Sequence, residues 1–462
     1  MKLCRRPFEN IHLDPNGGCR LCSWTDGRIG NLLEEELTDI WNGEKAEIIR
    51  QAIKNGDYRY CRATSCPYLE NDSLPDLEEE EIRKITEKTE IPKVFSVACD
   101  YTCNHSCPSC RECVFVPDKE YKDNLETIIH KIMPMLNKAE RILTDGNGDC
   151  FSSPQLMNML ENLHPQNPDC TILFETNGAL FDEKHWERIK HLGSYKLEIT
   201  VTPNSFEPTT FKYLNGGHDS YDAVIHNLGF IRDLRKDGII NNFNISIVVQ
   251  DRNFWELPAF AKRCIEEFEA DKVTVKPLYR WFGLSQDDYW FKDVLNPLHP
   301  YHKEYLKMLQ DPILQNPKVY FWGANNLHKS RLHPAYIYKD HLAMAAKMLE
   351  INEAPQMLEA YLKKRNISSL YIYGDMDLGT VLYQVLVKSK VKVKGFVARD
   401  ICKQKRCGIS VIGLCDYTGN EEDTFVVLNY DFMETIERDL RFNGFTGQLI
   451  SMKEIMEDVF SK

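Results

Sequence analysis

The chain of 462 residues is 43% hydrophobic and 27% charged, enough for two to three domains with cores of their own. Acidic residues outnumber basic ones 69 to 57, a net charge of −12 that argues against wrapping a phosphate backbone. No apolar run is long enough to span a bilayer, and the opening MKLCRRPFENIHLDP lacks the apolar stretch of a signal peptide, so a cytoplasmic protein with neither nucleic-acid nor membrane partners is expected.

In chain order, residues 1–70 form a Cys-rich segment with one helical stretch, residues 33–54, which Asn42-Gly43 is expected to divide in two. Residues 71–91, with four consecutive glutamates, read as a solvated acidic linker or linker helix. From residue 92 to 330, β-branched runs at 94–98, 141–144, 171–176, 196–202, 244–250 and 272–278 alternate with amphipathic stretches such as 124–136 and 220–235. That alternation predicts six parallel βα units, closing into a (β/α)6 partial barrel, with an open doubly wound sheet as the alternative. Residues 331–462 repeat the α/β pattern on a smaller scale, with runs at 369–374, 391–398, 408–412 and 424–429.

Cysteine is the anomaly. Of sixteen, five lie in the first 66 residues and five between Cys99 and Cys113. In a reducing compartment such groups are better explained by metal or iron–sulfur ligation than by disulfides. Cys103, Cys107 and Cys110 follow the first strand of the βα series with the spacing C-x3-C-x2-C. Three thiolates on one loop suit three irons of a [4Fe–4S] cubane and leave the fourth iron open. A zinc site completed by Cys99 or Cys113 is the alternative.

With this triplet the chain resembles a radical S-adenosylmethionine enzyme. The resemblance implies a cluster held by Cys103, Cys107 and Cys110, with S-adenosylmethionine chelating the unique iron. Reductive cleavage then gives a 5′-deoxyadenosyl radical that abstracts hydrogen from a substrate. One departure is Ser109, where the family often has an aromatic residue. The turn Gly146-Asn147-Gly148-Asp149 after the second strand resembles the family's Gly-rich contact to the methionyl ammonium. Thr176, Asn177, Thr202 and Gln250, at later strand ends, correspond to positions that contact the cofactor. Each also reads, taken alone, as an ordinary turn or strand-end residue.

The N-terminal cysteines, with Gly17 to Cys22 and Trp41-Asn42-Gly43, resemble the SPASM/twitch auxiliary-cluster module. In most relatives that module follows the barrel, whereas here it precedes it. One auxiliary [4Fe–4S] cluster on Cys4, Cys22, Cys61 and Cys66 is implied, with Cys19 competing for the Cys22 position and zinc as the alternative metal. In the last segment, Gly374-Asp375-Met376-Asp377-Leu378-Gly379 occupies the place of a dinucleotide fingerprint, but Met376 obstructs close approach of a pyrophosphate. A Rossmann-like domain without nucleotide is therefore expected, and Arg399 and Asp400 decide nothing.

The resemblance thus implies a radical enzyme acting on a peptide or protein, or else on a sugar or other small molecule, with an electron donor such as flavodoxin or ferredoxin. A zinc-stabilised binding protein on a degenerate barrel is the reading from another class.

Overall fold

The computed structural model describes residues 2–62, 66–70, 73–111, 113–144, 146–279, 284–322, 334–374, 377–398, 405–414, 417, 423–428, 433–442 and 444–460. Its contacts divide it into two compact units, residues 1–330 and 331–462.

The first unit holds ten strands: β1 (Asn10–Leu13), β2 (Gly18–Arg20), β3 (Gly30–Asn31), β4 (Val94–Val97), β5 (Arg141–Thr144), β6 (Thr171–Thr176), β7 (Lys196–Val201), β8 (Ile240–Val249), β9 (Lys272–Pro277) and β10 (Val319–Phe321). They form one sheet in the order β10-β9-β8-β7-β6-β5-β4-β1-β2-β3. From β4 to β9 every neighbouring pair is parallel and in chain order. Parallel neighbours cannot be joined by a tight turn, so a crossover containing at least one helix separates each from the next. These include Lys119–Leu136, Pro154–Glu161, Glu183–Ile189, Pro208–Leu214, Tyr221–Lys236 and Leu257–Glu266. Several begin on a side-chain cap: Asp118, Ser153, Asp182 and Glu207 each accept from a backbone N–H of the first turn. The consequence for chemistry is directional, because every strand of the series releases its C-terminal loop on the same edge of the sheet.

The Cys-rich segment is built into this sheet. β1 runs parallel to β4, with Asn10 opposite Val94 and Leu13 opposite Val97, and β2 pairs antiparallel with β1. Ile11 and Leu13 are fully buried, and one hydrophobic core joins Leu3, Phe8, Ile11 and Trp41 to Phe95, Ile142 and Phe243. The helical stretch divides at Gly43 into Leu37–Asn42 and Glu44–Lys54, as its Asn-Gly pair predicts. Arg50 ties the halves together: its guanidinium stacks 4.0 Å from the Trp41 ring and donates to the Trp41 and Pro7 carbonyls. The acidic stretch contributes the helix Glu79–Thr86, which buries Ile85.

The second unit has β11 (Ser369–Tyr373), β12 (Lys392–Ala398), β13 (Lys405–Arg406), β14 (Ile409–Gly413), β15 (Thr424–Val427) and β16 (Gln448–Ser451). Their order is β13-β14-β12-β11-β15-β16, parallel throughout except for β13, so the progression reverses at β11. Asp375, Met376, Arg399 and Asp400 lie outside the described residues. Among those described, no helix is long and apolar enough to cross a membrane.

Candidate functional site

The loop leaving β4 carries Cys103, Cys107 and Cys110. Its start is fixed by Asp100, whose Oδ1 accepts from the Thr102 N–H (2.9 Å), the Thr102 hydroxyl (2.8 Å) and the Tyr121 hydroxyl (3.0 Å). Further on, the N–H groups of Cys110 and Arg111 both donate to the Cys107 carbonyl, at 2.8 and 3.0 Å, closing a tight turn. Burial pushes the Cys103 thiol up to about 11, with repulsion from Asp149 and Cys110 adding to it. Burial likewise pushes Cys107 up to about 12, helped by Cys110 and Cys103. The three sulfurs thus sit within electrostatic reach of one another, and burial keeps Cys103 and Cys107 protonated unless a cation takes the place of their protons. Cys99 instead lies in the core and interacts with Cys19.

A back wall behind this loop escapes the sequence reading. Asn215, at the end of the helix Pro208–Leu214, has its Oδ1 3.6 Å from the Cys107 sulfur. Gly216 follows with φ +77°, and a Cβ there would stand 2.3 Å from the Ser106 carbonyl oxygen. His105 Nε2 meets the Ser220 hydroxyl at 2.7 Å, and His218 Nε2 meets the Ser106 hydroxyl at 3.0 Å. The two imidazoles stack at 5.5 Å, and burial followed by His218 repulsion lowers the His105 pKa to about 4. In sequence, Asn215-Gly216-Gly217-His218 signals only a turn after a helix.

The strand-end residues divide into two kinds. Gly146 (φ +100°) and Gly148 let the β5 turn lie on the cysteine loop: a Cβ on Gly148 would be 2.4 Å from the Thr102 carbonyl oxygen. Asn147 donates to the Ala98 carbonyl at 2.9 Å, and Arg111 donates to the carbonyls of Asn147 and Tyr101. Asp149 is buried, with one oxygen accepting from the Thr176 hydroxyl and the Asn177 N–H (both 2.8 Å) and the other from the Phe151 N–H (3.1 Å). Thr176 Oγ1 also accepts from the Gly178 N–H at 3.1 Å. Asp149 and Thr176 therefore brace the β5 and β6 ends against each other. Asn177 donates toward the Cys103 sulfur at 3.8 Å. The Thr202 hydroxyl meets the Ser246 hydroxyl at 2.6 Å, and Gln250 is buried with its N–H on Asn253 Oδ1 at 2.8 Å. Asp145 lies outside the described residues.

The N-terminal segment gathers a second set of thiols. Cys4 feels Cys22 and Cys66; Cys61 feels Cys22, Cys4 and Cys66; Cys66 feels Cys22. Burial is the leading cause that pushes Cys4 up to about 12 and Cys61 higher still. Arg6 faces this set, with a guanidinium N–H 3.8 Å from the Cys22 sulfur. Cys19 is not brought in; it is fully buried in β2, and after burial its neighbours are Asp14, Glu35, Arg28 and Cys99. Among the described residues every cysteine is a free thiol. No three Cys, His, Asp or Glu side chains among them converge as a site for one metal ion. The fit of both groups to a metal centre rests on the donor set, thiols brought near one another in each group.

The same segment meets the strand ends at both sides of the βα series. Beside β4, His12 Nδ1 lies 2.8 Å from the Ser96 hydroxyl, and its Nε2 lies 3.3 Å from Asp14, which Arg20 engages at 2.8 Å. Beyond β9, the Trp24 ring packs 6.5 Å from that of Tyr279.

No curated protein sequence matches the chain. Among solved structures, SuiB of Streptococcus suis, determined bound to S-adenosylmethionine, matches at 13% identity with a TM-score of 0.35, covering 60% of this chain. The match spans 61% of the SuiB chain. Residues 4–67, which carry the four gathered thiols, match the family model of SPASM, an iron–sulfur cluster-binding domain, and this agrees with the resemblance of the N-terminal cysteines.

Proposed function

We propose that the protein is a radical S-adenosylmethionine enzyme with a catalytic [4Fe–4S] cluster on Cys103, Cys107 and Cys110 and one auxiliary [4Fe–4S] cluster on Cys4, Cys22, Cys61 and Cys66. One observation carries the reading: three cysteines spaced C-x3-C-x2-C on the C-terminal loop of the first strand in a parallel series that runs in chain order. That unreversed order supports a partial barrel, whose active face is built from such loops. The reversal at β11 supports a Rossmann-like second domain.

When bound, the cluster and S-adenosylmethionine supply one-electron cleavage of the sulfonium C5′–S bond, giving methionine and a radical that takes hydrogen from a substrate C–H. This chain's residues hold the irons and brace the loop from behind with His105, Asn215 and His218. Asp149 and Thr176 lock neighbouring strand ends, leaving Gly146, Asn147, Asn177 and Thr202, none of them buried, on the side where the cofactor belongs. The substrate is a peptide or protein, with a sugar or small metabolite as second choice. An electron donor such as flavodoxin or ferredoxin is the partner, and the compartment is the cytoplasm.

Anaerobic reconstitution tests the reading. A brown protein containing iron and sulfide that releases 5′-deoxyadenosine on reduction is expected. Replacing Cys103, Cys107 and Cys110 by Ala abolishes cleavage and leaves the auxiliary cluster. A colourless protein carrying only stoichiometric zinc overturns it.

A further inference from the structure

We propose that Asn177, Asn215 and Arg111 form a set of N–H donors, one for each thiolate of the three-cysteine loop, which raises the reduction potential of the cluster held there. The inference rests on the catalytic-cluster reading above and deepens it.

The three contacts are separate. Asn177 Nδ2 points at the Cys103 sulfur (3.8 Å), Arg111 at the Cys110 sulfur (3.8 Å), and the Asn215 carboxamide at the Cys107 sulfur (3.6 Å). The orientations of the first two are fixed. Asn177 donates its second hydrogen to Asn104 Oδ1 at 2.7 Å, and its own Oδ1 accepts from the Ala179 N–H at 2.9 Å, so its amide cannot turn over without losing both. Arg111 is anchored on the carbonyls of Tyr101 and Asn147.

Asn215 is the informative member. As the thiol stands, Cys107 donates to Asn215 Oδ1. A cysteine that ligates iron has no proton to donate, and the carbonyl oxygen would then face an anionic sulfur. Asn215 is 1% exposed, and its Nδ2 is buried without a hydrogen-bond partner. A donor buried without a partner costs free energy. A half-turn of the carboxamide pairs that donor with the thiolate and turns the repulsive contact into an N–H···S bond. Gly216, pressed against the Ser106 carbonyl, keeps Asn215 at the loop. Donors to cluster sulfur stabilise the more negative, reduced state, and so raise the potential. These are positioning and tuning residues; none is asked to touch substrate.

The test uses the full chain reconstituted anaerobically as unaltered protein, Asn215→Leu, Asn177→Leu, their double variant and Asn215→Asp. Redox titration is followed by the electron paramagnetic resonance signal that Cys107→Ala abolishes. Each Leu variant is expected to keep its iron and to lower the reduced-to-oxidised ratio at fixed potential roughly tenfold, about 59 mV for a one-electron couple. The double variant moves further, and Asn215→Asp, which adds charge, moves beyond Asn215→Leu. Unchanged midpoints with iron retained overturn the inference and leave the cluster reading intact. Absence of any signal lost in Cys107→Ala overturns both. If Asn215→Leu loads no iron, Asn177→Leu carries the same comparison.

Discussion

At the residue scale, Gly148 separates what can be read in the sequence from what cannot. A glycine-rich turn after the second strand is visible as Gly146-Asn147-Gly148, and glycine permits close backbone approach. What it approaches is not visible. A Cβ at Gly148 would stand 2.4 Å from the Thr102 carbonyl oxygen and 2.8 Å from that of Asp100, both backbone atoms that cannot swing aside. Gly148→Ala is therefore expected to shift the loop that carries Cys103, at a cost of about 1–3 kcal/mol in thermal or urea unfolding, together with reduced iron loading by the triplet. Gly27, where a Cβ would meet nothing within 4 Å, supplies the control: Gly27→Ala should leave both readouts unchanged. Equal effects of the two substitutions would show that the close packing at residue 148 is immaterial. Asp149 and Thr176 teach a related lesson. Residue type and strand-end position group them with ligand-contacting residues, yet their oxygens are engaged with each other and with the N–H groups of Phe151, Asn177 and Gly178. A hydrogen bond between residues 27 apart leaves no local trace in sequence.

At the element scale, the legible strands are those whose side chains announce them. The runs at 141–144 and 171–176 coincide with β5 and β6, and the other four of the series are displaced by one to four residues at an end. β1 and β10 are not anticipated. They have four and three residues, and β1 is a strand because β4, more than eighty residues on, lies beside it. No hairpin turn marks a parallel partner. The end of β1 also carries Asp14, a buried carboxylate. Burial alone would raise its pKa; the hydrogen bond to His12, with Arg20 and Arg28, holds it below the ordinary carboxylate range instead. A depressed folded-state pKa gives stability that is present above the unfolded value and lost as pH falls through the folded one. Asp14→Asn is thus expected to cost about 3 kcal/mol near neutrality, as when one partner of a buried pair is removed. The gap in urea midpoint between the two proteins should narrow below about pH 4. A gap of constant size across that range would mean that Asp14 acts through shape rather than charge.

At the scale of the whole molecule, the segment that matches the SPASM model is a part of the first unit's sheet and core rather than an appendage. Parallel pairing joins β1 to β4, and Trp41, Phe8 and Ile11 share one hydrophobic core with Phe95 and Ile142. The second unit has separate cores, formed for example by Leu370, Leu382 and Phe396 and by Val397, Phe425 and Phe445. Bound metal stabilises whatever folds cooperatively with its site, because the assembled site exists only in the folded state. Loss of the proposed auxiliary centre is therefore expected to be felt beyond residues 4–67. With Cys4, Cys22, Cys61 and Cys66 replaced by Ala, amide hydrogen exchange is expected to accelerate in β1 and, through the shared ladder, in β4 and β5, while β11 and β12 keep their protection. Peptide-resolved exchange of the reconstituted protein against this variant gives the comparison directly. Acceleration confined to the segment before residue 70 would make it an independent folding unit that merely touches the sheet edge. Acceleration that also reached β11 would show that the two units unfold together. The outcome expected from the strand order is the intermediate one, with the effect fading along the sheet from β4 toward β9.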